Sequence, residues 1–182
     1  MNKKPIQRAL IVGATSGIGK ETALQLLQKG WILGLAGRRE ENLKELQQLA
    51  PERIHIRAID ICQEDATDRL LELIEEMGGM DLYLHCSGIG HQNYQLAPEI
   101  ELRTLETNGT GFVRMVTAAS ATLPNRKRTP AVISSIAGTK GWELLRLFCH
   151  QTFPEHVHRC AGATGSHPET SHSGLQISVQ DS

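Results

Sequence analysis

Short apolar runs and stretches of helical period alternate along most of this chain. Arg8 to Val12 ("RALIV") is a compact apolar run ending at a glycine-rich loop, and from Ile18 to Gln28 apolar residues return at helical spacing. Trp31 to Ala36 ("WILGLA") is again continuous and apolar, and the charged stretch after it carries leucines at 43, 46 and 49. Ile54 to Ile59 alternates, Ala66 to Met77 is amphipathic, and Leu82 to Leu84 restarts a strand after Gly78, Gly79 and Asp81. A long helical stretch from about Ile100 to Leu123 precedes a fifth apolar run, Ala131 to Ser134. Strands apolar throughout are buried on both faces. Their alternation with helices predicts an α/β fold: a doubly wound parallel sheet in three layers, linked by right-handed crossovers.

After Gly141 the pattern stops. Residues 142–182 hold five of the eight histidines and two of the four cysteines, keep neither period, and contain only "LQISV" as a strand-like run. The expectation is one folded domain over residues 1–141, its sheet incomplete on the C-terminal side, and an aberrant, poorly ordered tail over 142–182. A length of 182 residues suits one domain rather than two. A net charge of -1 and a pI near 6.7 give no general attraction to nucleic acid or anionic lipid, so the short run Arg126 to Arg128 reads as a solvated loop. No apolar run has membrane-spanning length, and the start lacks the apolar core and cleavage site of a signal peptide; a cytoplasmic protein is expected. Cys62, Cys86, Cys149 and Cys160 form no C-x-x-C pair, which points to reduced thiols and to no metal site.

Candidate chemistry begins at "VGATSGIGKE", Val12 to Glu21. Gly13, Gly17 and Gly19 lie between the first strand and first helix, where small residues let backbone N–H groups and the helix N-terminus approach a pyrophosphate. The spacing G-x-x-x-G-x-G departs from the G-x-G-x-x-G fingerprint, and alone it leaves open a tight turn that binds nothing.

Together with "LHCSGIG", "TNGTGF" and "VISSIAG" in this order, the loop resembles the short-chain dehydrogenase/reductase family over roughly residues 8 to 141. The resemblance implies a Rossmann fold, a dinucleotide at the carboxyl ends of the strands, and hydride transfer between a small carbonyl or alcohol and the nicotinamide. It places Gly13, Thr15, Ser16, Gly17, Ile18 and Gly19 against the cofactor. In NAD-binding relatives an acidic residue ends the second strand; here Gly37 is followed by Arg38 and Arg39, which suit a 2′-phosphate. NADP is therefore expected over NAD, with Arg38 the better candidate. The alternative is that both arginines only solvate a helix start. Asp60 matches the family aspartate on the adenine amino group, with Ile61 following along the pocket; a helix N-cap is the other reading.

His85, Cys86 and Ser87 stand where relatives carry Asn-Asn-Ala, while Gly88 is kept beside the cofactor. His85 and Cys86 invite a metal or nucleophile role, but strand-end core residues are the favoured reading. Asn108 corresponds to the asparagine that positions a water and the catalytic lysine, and Ser135 to the serine that hydrogen-bonds the substrate carbonyl. The family's proton-donating tyrosine follows that serine by about a dozen residues, with lysine four later. The window here, "KGWELLRLFCHQTFPEH", has no tyrosine, and no lysine follows Lys140. Phe148 has no hydroxyl, Tyr83 and Tyr94 lie elsewhere, and nothing fixes His150 as a donor.

Read from the second base of each codon, Leu147 to Thr152 can encode Tyr-Ser-Ala-Thr-Lys, the absent motif at the proper distance. Free third bases make such matches permissive, so a shifted reading frame, a chance match and a divergent tail all stand open at Gly141. The leading expectation is an NADP-dependent short-chain oxidoreductase, inactive in this chain for want of the tyrosine and lysine. The alternatives are a non-catalytic NADP-binding sensor and an unstable fragment. The family's homodimer or tetramer is not expected here, because the fifth strand would lack its covering elements.

Overall fold

A computed structural model describes residues 6–90, 93–95, 97–123 and 130–132. Five strands form one parallel sheet: β1 (Arg8–Val12), β2 (Ile32–Gly37), β3 (Ile54–Ala58), β4 (Leu82–His85) and β5 (Pro130–Val132), in the order β3-β2-β1-β4-β5. Between them run α1 (Gly17–Gln28), α2 (Glu40–Gln48), α3 (Ala66–Glu76), α4 (Pro98–Leu105) and α5 (Phe112–Thr122).

The period of two along the central strands separates the core into two layers. Ala9 and Ile11 face one side with Leu33, Leu35 and Leu84, against Ala23 and Leu26 of α1 and Leu43 and Leu46 of α2. Leu10 and Val12 face the other side with Ala36 and Tyr83, against Leu70 and Leu73 of α3 and Phe112 and Met115 of α5. Leu10 and Ile11 are wholly buried, so truncating either to alanine would cost about 2–5 kcal/mol. These two packed faces are the three layers expected of a doubly wound sheet. Strand order reverses between β1 and β4, which opens a crevice at their carboxyl ends.

Several boundaries move by a residue. The second strand begins at Ile32 rather than Trp31 and takes in Gly37, and α3 stops at Glu76. β5 covers Pro130–Val132, and Ile133 and Ser134 lie outside the described residues. The long helix expected from Ile100 to Leu123 starts at Pro98, as suits a proline in a first turn, and is interrupted by one wide π-helical turn, Glu106–Gly111. Asn108 and two glycines fall within that turn. Residues of poor helix propensity therefore mark where the regular helix gives way.

Candidate functional site

Four loops at the carboxyl ends of β1 to β4 meet around a cleft of about 150 Å³. The β1–α1 loop is tied to the neighbouring strand by Gly13 N–H and Ala14 N–H, which both donate to the Ala36 carbonyl at 2.8 and 3.1 Å. Gly13 has φ of 92°, and a Cβ there would stand 2.6 Å from the Ser87 nitrogen. A Cβ on Gly19 would run into the Gly13 carbonyl oxygen. A side chain is thus excluded at Gly13 by the segment after β4 and at Gly19 by the loop itself.

Ser16 is the N-cap of α1, yet its hydroxyl makes no capping bond and no acidic residue occupies the first turn. The N–H groups at that end are left to an anion, and no carboxylate in the turn competes for them. Beside them, Arg39 donates through Nη2 to Ser16 Oγ at 2.6 Å and to Thr15 Oγ1 at 2.9 Å, and through Nε to Thr15 Oγ1 at 3.3 Å. Asn42 fastens the same loop by donating to the Thr15 carbonyl at 3.2 Å. Arg38 also lines the cleft. The Arg39 guanidinium and two hydroxyls thus converge where β2 ends, with Arg38 lining the same cleft, a donor set suited to a phosphate.

Across the cleft, Asp60 Oδ1 accepts from the Cys62 N–H at 3.1 Å, and the N-cap of α3 is Asp65. Asp60 therefore holds a local turn rather than capping α3. Gly13, Thr15, Ser16, Arg38, Arg39, Asp60, Ile61, Ser87 and Gly88 all line the cleft; Gly17, Ile18 and Gly19 form the first turn of α1 and do not line it. Gly37, Ile59, Cys86, Ile89 and Thr107 line it too. Ile59 and Ile89 are apolar residues next to motif positions, and their only signal in the sequence is that adjacency.

Asn108 does not line the cleft. Its side chain grips the loop after β4, accepting from Ile89 N–H at 2.9 Å and donating to the Ile89 carbonyl at 2.7 Å. Ser135, Phe148, His150 and the whole window after Lys140 lie outside the described residues.

His85 and Cys86 point to opposite faces of the sheet. His85 is 2% exposed; its Nδ1 meets the Tyr83 hydroxyl at 2.8 Å and its ring meets that of Phe112 edge-on at 5.0 Å. Burial pushes its pKa down from 6.5 to about 4, while the Ser87 backbone pulls the other way without completing a hydrogen bond to the buried Nε2. Burial also drives the Tyr83 hydroxyl well above 10. Cys86 packs against the layer of α1 and α2, where burial pushes its thiol up to about 12. Such a thiol is a poor nucleophile.

The glycine cradle, the uncapped helix end and the paired arginines fit a phosphorylated nucleotide. Residues 7–149 match the short chain dehydrogenase family, and the chain belongs to it. It is 34% identical over 148 residues to an uncharacterized oxidoreductase of Myxococcus xanthus, a match covering 78% of this chain and 58% of that protein. It is 32% identical over 133 residues to serine 3-dehydrogenase of Agrobacterium fabrum, covering 70% and 53%. The chain thus spans little more than half the length of these relatives. Among solved structures, the alcohol dehydrogenase of the archaeon Thermococcus sibiricus complexed with 5-hydroxy-NADP superposes with a TM-score of 0.78 at 21% identity, over 86% of this chain and 70% of that one.

Proposed function

We propose that residues 1–141 form an NADP(H)-binding domain of a short-chain oxidoreductase acting on a small carbonyl or alcohol, and that this chain binds the nucleotide without turning it over. The observation that carries the cofactor reading is the Arg39 guanidinium resting on the Thr15 and Ser16 hydroxyls, with Arg38 beside it. A 2′-phosphate is attracted by these groups, whereas a free ribose hydroxyl gains little from two cations. Gly37 supports the same choice. A Cβ there would lie 2.6 Å from Thr15 Cγ2, so the carboxylate that NAD-binding relatives carry at this position would require Thr15 to move. The archaeal alcohol dehydrogenase complexed with 5-hydroxy-NADP lends fold-level support.

In this arrangement Gly13 and the α1 N-terminus hold the pyrophosphate, Arg38 and Arg39 the 2′-phosphate, Asp60 and Ile61 the adenine, and Ser87 and Gly88 the approach to the nicotinamide. The bound nucleotide would supply the hydride. Asn108 fixes the loop after β4, and Ser135 is assigned the substrate oxygen. No tyrosine follows Ser135 and no lysine follows Lys140, so the proton needed at that oxygen has no donor of the family's type. The same absence favours, as second reading, a non-catalytic NADP sensor. Residues 142–182 are assigned no part in binding, although the family match runs on to residue 149. Among the described residues no helix is long and apolar enough to cross a membrane.

Fluorescence titration of the full chain with NADPH and NADH tests this. Tighter binding of NADPH is expected, with the preference reduced in Arg38→Ala and Arg39→Ala. Equal affinities in the unmodified protein would remove the basis for NADP.

A further inference from the structure

The wide turn in the long helix touches both rims of the cleft. Thr107, Gly111 and Arg114 recur at i, i+4 and i+7 and meet the loop after β3. Arg114 Nη1 donates to the Ile61 carbonyl at 2.7 Å, across 53 positions of sequence. Thr107 Oγ1 lies 3.5 Å from Cys62 Sγ. A Cβ on Gly111 would be 2.8 Å from Ile61 Cγ1 and 3.1 Å from the Ile61 oxygen, so the helix backbone itself presses on this loop. One residue along from Thr107, Asn108 holds Ile89 on the opposite rim by two hydrogen bonds. The two turns from Thr107 to Arg114 therefore brace the Asp60–Cys62 loop on one side, through Thr107, Gly111 and Arg114, and the loop after β4 on the other, through Asn108.

We propose that Arg114 is a positioning residue for the adenine end of the nucleotide, acting through the Ile61 carbonyl to hold the Asp60–Cys62 loop at the height at which it reads the base. The inference rests on the NADP reading given above. Ile61 is 5% exposed and lines the cleft, and its carbonyl is held by a cation whose hydrogen bond is of the stronger, charge-assisted kind. Release of that carbonyl lets Ile61 and Asp60 shift together, because Asp60 is bonded within the same turn to Cys62 N–H. The Asn108 arm is untouched by such a change. Loss of Arg114 then weakens recognition of the base and leaves the other rim in place.

The test compares reduced NADP with its hypoxanthine analogue, which replaces the adenine amino group by an oxygen; dihydronicotinamide fluorescence reports binding of both to the full-length chain. The unmodified protein should prefer the adenine form. In Arg114→Met, affinity for NADPH should fall about tenfold, the scale of one lost charged hydrogen bond, while affinity for the analogue changes little, so the preference collapses. Arg114→Lys, which keeps a cationic donor, should restore most of it. Should Arg114→Met fail to fold by circular dichroism, Thr107→Val carries the test, with a partial fall in the same ratio expected. An equal loss for both nucleotides, or an unchanged ratio in the folded variants, overturns the role of Arg114. Failure of the unmodified chain to bind either nucleotide overturns the NADP reading beneath it.

Discussion

Acidification from about pH 7.5 to about pH 5 should remove close to 2 kcal/mol of stability through one side chain, His85. The imidazole is 2% exposed and neutral in the fold, with its pKa lowered by burial from 6.5 to about 4. The unfolded chain binds a proton below 6.5 and the folded chain does not, so unfolding gains as the medium becomes acid. The contribution is complete above pH 6.5, is lost as pH falls through the interval down to about 4, and changes no further below it. The whole gap corresponds to about 3 kcal/mol, of which about 2 kcal/mol has been lost by pH 5. Replacing His85 alone would orphan the Tyr83 hydroxyl that meets its Nδ1, so the perturbation is the double change Tyr83→Phe and His85→Leu. Urea unfolding of both proteins, followed by circular dichroism at each pH, isolates the residue because all other groups titrate alike in the two. The unmodified protein should lose about 2 kcal/mol more than the double variant over this range. A parallel fall in the two proteins would refute the buried, neutral histidine.

Three further outcomes are expected. Gly13→Ala should destabilise the protein by about 2 kcal/mol or more in urea unfolding and abolish NADPH binding, since its Cβ would meet the Ser87 backbone and its φ of 92° disfavours any side chain. Cys86 should resist iodoacetamide near neutral pH in peptide mapping of the folded chain and become reactive in urea, because burial holds its thiol near 12. Reading the coding DNA from codon 142 should show Tyr-Ser-Ala-Thr-Lys in the shifted frame over codons 147 to 152; a sequence that cannot encode it there leaves the tail as evolved protein.

The sheet was legible because its central strands are apolar without interruption, and the cleft because Gly13 sits where the chain leaving β1 passes the segment after β4 and Gly19 where the first turn of α1 closes on Gly13. What escaped the sequence was side-chain reach. Arg38 and Arg39 are equivalent in composition, and only the entry into α2 turns Arg39 onto Thr15 and Ser16. Arg114 and Ile61 belong to separate motifs, and no local pattern links them. The Asn and glycines of "TNGTG" are poor helix formers, but the pattern reads as one continuous helix with a functional asparagine, and the π-helical turn went unread. Tyr83 and His85 share a face by strand parity, yet the depth that makes them a hydrogen-bonded pair depends on Phe112 from α5.

Hydrogen exchange of the full chain with and without NADPH tests the central claim most directly, since it reads where the nucleotide sits. Slowed exchange is predicted in the peptides spanning residues 13–19, 37–39, 59–62 and 86–89, with little change in α2 beyond its first turn and none in residues 142–182. Protection absent from the β1–α1 loop, or concentrated outside these four loops, would contradict the account.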